Sequence, residues 1–297
     1  MSFSSDVKQE LSKISSYSNK EIVKFELIGY LISNNIKIDE KNIKFTTENE
    51  YNINRFSRLL SNLDLINQKI DIHGKVFEIT LKKIPFLKKL NIKEDEISDA
   101  KNIKFNKIDE TFEKALVRGA FLGGGSINNP ESSNLVQITF HTKENAMFIA
   151  DILKKYNIEC KFLKKRDSIS MYSKDGEVIS NFLAFIGASN SVLKYEEIRV
   201  LRDIKNNVNR IVNCESANLN KIVNASLKQI EDIKLIKEKN KFKSLDKKLQ
   251  DLANLRLANE YASLQELANL LDEKVSKSTV NKRLKEIERF AEELRNL

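Results

Sequence analysis

The 297-residue chain has no tryptophan, two prolines, eight glycines, two cysteines and two histidines, and each shortage closes off a class of function. A structural zinc site needs about four Cys or His ligands at short spacing. Here Cys160, Cys214, His73 and His141 stand singly along the chain. The same residues make no disulfide framework and no local cysteine–histidine signature for nucleophilic catalysis, so the cysteines read as ordinary thiols. No run of about 18 apolar residues occurs, and no membrane-spanning helix is expected. The first ten residues, Met1 to Glu10, lack an apolar core and include acids, unlike a secretory leader, so a cytoplasmic protein is expected. Gly123-Gly124-Gly125 follows an amphipathic helix and precedes a strand, which is the wrong order for a phosphate cradle between a strand and a helix.

What the chain has in excess is positive charge. Fifty-one Lys and Arg against 42 Asp and Glu give +9, the footprint of a nucleic-acid binder, although a Lys- and Asn-rich composition alone could produce it. It also has an internal repeat, which decides the architecture of the segment that contains it. Leu27-Ile28-Gly29-Tyr30-Leu31-Ile32-Ser33-Asn34-Asn35 is echoed by Val117-Arg118-Gly119-Ala120-Phe121-Leu122-Gly123-Gly124-Gly125. Downstream, the alternating run from Asn42 to Asn49 is echoed by Val136 to Asn145. Each is followed by an amphipathic stretch, around Phe56–Leu60 and Phe148–Leu153, and then by two strand-like runs. The expectation is a tandem pair of helix-strand-helix-strand units.

The two nine-residue stretches resemble the LAGLIDADG helix of homing endonucleases. In that family two such helices pack side by side at a pseudo-twofold axis, and a small residue at the third position permits close approach; Gly29 and Gly119 occupy it here. The eighth position holds the acid that, in the endonucleases, binds a divalent cation between the scissile phosphates. Asn34 and Gly124 stand there instead, and neither supplies negative charge. The nearest acids, Asp39 and Glu131, lie beyond the helix ends, and nothing in the sequence brings them together. Nuclease chemistry is expected to be lost, with no catalytic residue, metal or cofactor, while a saddle-shaped surface stays available for DNA, a ligand or a protein.

Beyond about Asn206 the pattern turns wholly helical, and neither glycine nor proline occurs after Gly187. Residues 208–239 read as one or two long helices, with Ile211, Leu219, Ile222, Ile230 and Ile233 among the apolar positions at helical spacing. Ser244 suits the N-cap of a helix reaching Leu257. Ser263 with Glu266 forms a capping box for the next, and a turn through Asp272–Val275 leads into a third. This is a helix-turn-helix layout, with Ala268 at the crossing and Val275, Val280 and Leu284 facing inward. Rotation of about 100° per residue then turns Ser278, Lys282, Lys285 and Arg289 outward. Residues 274–289 hold six basic and two acidic side chains, net +4. Recognition helices place N-terminal polar residues at base edges and flanking cations on phosphates. The DNA-binding set read here is Ser276, Lys277, Ser278, Thr279, Asn281, Lys282, Arg283, Lys285 and Arg289.

Four segments together resemble the WhiA family of bacterial DNA-binding regulators. They are Arg118–Ser126, Asn209–Asn218, Leu252–Leu257 and Val275–Leu284, in that order. The resemblance implies an α+β protein: a degenerate LAGLIDADG-like domain of two pseudo-symmetric α/β halves over 1–206, then a helical linker and an all-α helix-turn-helix domain over 207–297. It implies double-stranded DNA as partner, a nucleoid-associated role in cell division, chromosome segregation or transcription regulation, and no nuclease activity. Two other readings stay open at this point. One is a residual metal-dependent endonuclease; the other is an N-terminal module that senses a ligand, another regulator or a division protein. Asn259-Glu260-Tyr261 departs from the proline-containing turn common in the family, which leaves the length of the preceding helix open.

Overall fold

The computed structural model describes residues 2–15, 18–33, 35–104 and 109–296. The chain divides into two compact units, Met1–Asp203 and Ile204–Leu297. In the first, α1 (Phe3–Ser12) precedes two copies of one motif. The first copy comprises α2 (Lys20–Leu31), β1 (Ile36–Ile38), β2 (Asn42–Thr47), α3 (Glu50–Asn62), β3 (Lys69–His73), β4 (Val76–Lys82) and α4 (Lys83–Leu90). The second repeats it as α5 (Glu110–Gly124), β5 (Gly125–Ile127), β6 (Val136–Phe140), α6 (Lys143–Lys154), β7 (Lys161–Lys164), β8 (Ile169–Ser173) and α7 (Gly176–Ile186). The two antiparallel sheets have the same strand order, β1-β2-β4-β3 and β5-β6-β8-β7, so the repeat extends to topology. Each half contains one strand more than the sequence pattern indicates. β1 and β5 are three residues long, too short for alternation to register.

The core of this unit is the pair α2 and α5. Helices that are apolar all round must be buried, and from Phe25 to Leu31 and from Ala115 to Gly123 every residue is. The glycines have the mechanical reason expected of them. A Cβ on Gly29 would lie 2.1 Å from the Leu116 carbonyl oxygen, and one on Gly119 would lie 1.9 Å from that of Glu26. The backbones therefore touch, and this close packing offsets the roughly 1 kcal/mol that a mid-helix glycine costs relative to alanine. Gly123 performs the same service opposite Ser33.

Glu26, fully buried inside this contact, accepts from Arg55 of α3 at 2.5 and 2.8 Å and from Arg118 of α5 at 3.3 Å. Arg55 also donates to the carbonyls of Ser12 and Ile14, and Arg118 to that of Ile186. Burial pulls the Arg118 pKa down, and the Glu26 carboxylate opposes that pull. One carboxylate thus ties α2, α3 and α5 together.

In the second unit the long helix α8 (Ser189–Glu238), already under way in the first, ends where its Ile230, Ile233 and Ile236 enter the core. It is one helix that starts well before residue 208, because Gly187, at φ 93°, ends α7 and the next helix begins two residues later. The lysine-rich run from Lys237 to Lys243 is an ordered turn, with Asn240 in the left-handed region and Lys237 over the Phe242 ring. Three helices follow: α9 (Lys247–Ala258), α10 (Leu264–Leu270) and α11 (Lys277–Arg295). Ser244 is not the N-cap of α9. Leu245 is buried in extended backbone, so the helix starts only after it, capped by Asp246. Leu252, Ala253, Leu267, Ala268, Val280, Leu284, Ile287 and Ala291 form the shared core.

Candidate nucleic-acid interface

The geometry of α11 begins with its caps. Ser263 and Glu266 complete the capping box of α10, with Glu266 accepting from the Ser263 backbone N–H at 2.7 Å and the Ser263 hydroxyl accepting from that of Glu266 at 3.2 Å. The Ser263 N–H holds the Glu266 carboxyl below the usual range. Ser276 caps α11, accepting from the Thr279 N–H at 3.2 Å. Its hydroxyl also lies 2.7 Å from that of Ser278 and 2.9 Å from that of Thr279, which gathers three hydroxyls at the helix start. The N-terminus of a helix favours anions, so this end suits a phosphate or an electronegative base edge.

Val280, Leu284, Ile287, Ala291 and Leu294 are buried, which fixes the rotation of the helix. Ser276, Lys277, Ser278, Asn281, Lys282, Lys285 and Arg289 are exposed, and Thr279 and Val275 are half-buried. Among the described residues, none of Lys277, Lys282, Lys285 and Arg289 forms an ion pair. Arg283 differs. Its side chain is 13% exposed and its guanidinium lies 2.5 Å from Glu273 on the connecting turn, with Lys248 of α9 at 3.9 Å from the same carboxylate. Glu273 was invisible to sequence reasoning, because which of the neighbouring acids Arg283 meets depends on the path of the turn.

The turn before α10 rests on a buried cation that sequence reasoning also missed. Arg256 donates to the Ala262 carbonyl at 2.6 Å, to the Ser226 hydroxyl at 3.3 Å and to the Asn259 carbonyl at 3.5 Å, while Ser226 donates to the Glu260 carbonyl. The Asn259-Glu260-Tyr261 turn therefore closes without proline, and α9 ends at Ala258. The signal was a lone arginine among the apolar residues of Leu252–Leu257. At the far end of α11, Arg295 meets the buried Asp232 of α8 at 2.5 Å, and Lys228 pairs with Glu288.

In the first unit, Asn34 lies outside the described residues. Gly124 is the last residue of α5, with no side chain to offer. Asp39 accepts from the Lys41 and Asn42 backbone N–H groups in a turn, which lowers its pKa, and Glu131 sits in an exposed loop. Among the described residues no group of three His, Cys, Asp or Glu side chains converges as a metal site. A cleft of about 600 Å³ beside the end of α2 has Glu94 and His141 on its wall, but His141 Nε2 is 2.8 Å from the Ile36 carbonyl oxygen and is engaged in the fold. The two sheets differ in chemistry. Lys37, Lys44 and Lys82 stand with Glu78 on β1, β2 and β4. The matching face of the second sheet has Ser126, Gln137, Thr139 and Ser170, whose side chains hydrogen-bond one another.

Two family models match the chain: the WhiA LAGLIDADG-like domain over residues 113–205 and the WhiA C-terminal HTH domain over residues 208–291. A curated protein of Clostridium acetobutylicum, "Probable cell division protein WhiA", is 35% identical over 322 residues, covering 99% of each chain. The chain belongs to the WhiA family. The crystal structure of full-length DUF199/WhiA from Thermatoga maritima matches over 99% of each chain at 26% identity, with a TM-score of 0.60. That of the N-terminal LAGLIDADG domain of DUF199/WhiA covers 63% of this chain and 92% of its own, at 23% identity and a TM-score of 0.51, and bears on fold alone. The α+β architecture expected from sequence, a WhiA-type LAGLIDADG-like domain followed by a helical helix-turn-helix domain, is the one found. No helix among the described residues is long and apolar enough to cross a membrane.

Proposed function

We propose that this chain is a non-catalytic protein that binds double-stranded DNA through its C-terminal domain, in cell division, chromosome segregation or transcription regulation, at the nucleoid in the cytoplasm. The observation that supports it is the outward face of α11, where four unpaired cations flank a cluster of hydroxyls at a helix N-terminus. Ser276, Lys277, Ser278, Thr279 and Asn281 are assigned to bases and nearby phosphates, and Lys282, Lys285 and Arg289 to the backbone. Arg283 is assigned to both duplex and Glu273, which it would exchange for phosphate. The division of labour is set at residues 1–206 and 207–297.

The test is fluorescence anisotropy of the full chain on labelled duplex across a salt series. Each phosphate contact contributes about 0.9 to the slope of log K against log salt. Lys282→Ala with Lys285→Ala should flatten that slope by roughly 2; an unchanged slope removes these residues from the interface. Supercoiled plasmid incubated with magnesium or manganese should stay intact, because neither Asn34 nor Gly124 supplies a carboxylate to hold a cation.

A protein partner for the N-terminal domain, another regulator or a division protein, is the second part of the proposal. The corresponding face of the second sheet carries one exposed cation, Lys161, beside its hydroxyl and amide side chains. The outermost strands expose Ile70 and Ile72 on β3 and Phe162 and Leu163 on β7, which suits a protein surface.

A further inference from the structure

Between the residues that anchor its two ends, α8 is exposed on every side, and the exposure is not evenly polar. Ile204, Val208, Ile211, Val212 and Leu219 are 56%, 52%, 58%, 52% and 61% exposed. At about 100° per residue they share an arc of roughly 100° with one acid, Glu215. The opposite side of the same segment presents Asn206, Arg210, Asn213 and Lys221. This is an amphipathic helix whose apolar face is open to water, and such faces mark protein contacts.

We propose that this face is covered by a second copy of the chain, packed antiparallel along the same segment of α8. The spacing of the stripe is its own mirror image. About the midpoint between Ile211 and Val212, Ile204 is as far from the centre as Leu219, and Val208 is as far as Glu215. A twofold axis at that midpoint sets each residue against its counterpart: Ile204 on Leu219, Val208 on Glu215 and Ile211 on Val212, each pair made twice. An isologous interface requires this self-complementarity.

Charge selects the direction. A parallel pair would set Glu215 against Glu215 in an apolar seam, where like charges repel strongly. The antiparallel pair sets it instead against Val208, with the Lys205 ammonium of the other copy one turn away. Ten half-exposed aliphatic side chains with their flanks approach the roughly 1,000 Å² that a specific interface needs. None of these residues is on α11, so the dimer stands or falls independently of DNA binding.

Sedimentation equilibrium of the full chain without DNA tests it. The expected mass at micromolar concentration is twice the 34.2 kDa of one chain. Ile211→Lys places a cation on each side of the axis and should return the mass to one chain, with helix content unchanged by circular dichroism. Adding Val212→Glu should restore the dimer, because only antiparallel packing sets those two positions against each other in both copies. A single-chain mass at every concentration overturns the proposal. So does a dimer indifferent to Ile211→Lys, or a monomer in which Ile211→Lys weakens duplex binding, which would give the stripe to DNA. A dimer broken by the first substitution and not restored by the second would overturn the antiparallel arrangement.

Discussion

Both units bury arginine, and they neutralise it differently. In the first, Arg55 and Arg118 converge on the Glu26 carboxylate, and backbone carbonyls take up further N–H groups. In the second, Arg256 has no carboxylate partner among the described residues. Its Nη1 donates to two carbonyls and a hydroxyl around one turn, and burial lowers its pKa. The first arrangement joins helices distant in sequence; the second closes a local turn between α9 and α10. A shared ion is a device for tertiary assembly, and a carbonyl-lined guanidinium is a device for shaping a loop. α11 offers a third state, cations left unpaired in water, and it is the state that suits an external polyanion.

Glu26 is where the contrast between the units can be broken most visibly. Glu26→Ala would remove the carboxylate that two buried guanidiniums share. Removing one partner of a buried ion pair costs about 3–5 kcal/mol, and here two pairs are lost. Denaturant unfolding should show a loss of at least that size, with hydrogen exchange accelerated across α2 and α5 and little changed in α9 to α11. Arg256→Ala should reverse the pattern. It strands turn carbonyls at about 1–3 kcal/mol, with the exchange increase confined to the second unit. Equal and global effects from both substitutions would erase the distinction.

Gly119→Ala is next in size and tests the helix contact without touching charge. Intrinsic propensity favours the alanine by up to about 1 kcal/mol. The added methyl would meet the Glu26 carbonyl oxygen at 1.9 Å, so backbone must move and the overpacking costs about 1–3 kcal/mol. A lowered thermal midpoint is expected. A raised one would mean that the two helices part easily, and that the ion pairs alone hold them.

Much of this was legible beforehand, for identifiable reasons. Gly29 and Gly119 could be read because mid-helix glycine needs a steric cause, and the structure supplies it. The α10 capping box and the inward face of α11 follow from local spacing, which the chain honours. The missed features are those in which the partner is distant or the element is short. Nothing near Glu26 in sequence announces Arg55 or Arg118, 29 and 92 residues away. β1 and β5 are too brief to show a period, and the cap of α9 moved to Asp246 because Leu245 is claimed by the core. The lone charges inside apolar helices, Glu26, Arg118 and Arg256, were the available signal that ion pairs or carbonyls waited for them.

The smallest expected effect separates two neighbours on α11. Lys282 is exposed and unpaired, whereas Arg283 is mostly covered and held by Glu273. An exposed, unpaired cation contributes to phosphate binding at no cost to the free protein. A cation already paired must first give up its partner, and the pair itself is worth about 1 kcal/mol or less. Lys282→Ala should therefore lower duplex affinity and flatten the salt slope by about 0.9. Arg283→Ala should change the slope by less while loosening the turn that Glu273 anchors, read as faster hydrogen exchange from Asp272 to Ser276. If Arg283→Ala instead gave the larger slope change, giving up Glu273 would cost the interface nothing, and the covered arginine would contribute as fully as the exposed lysines.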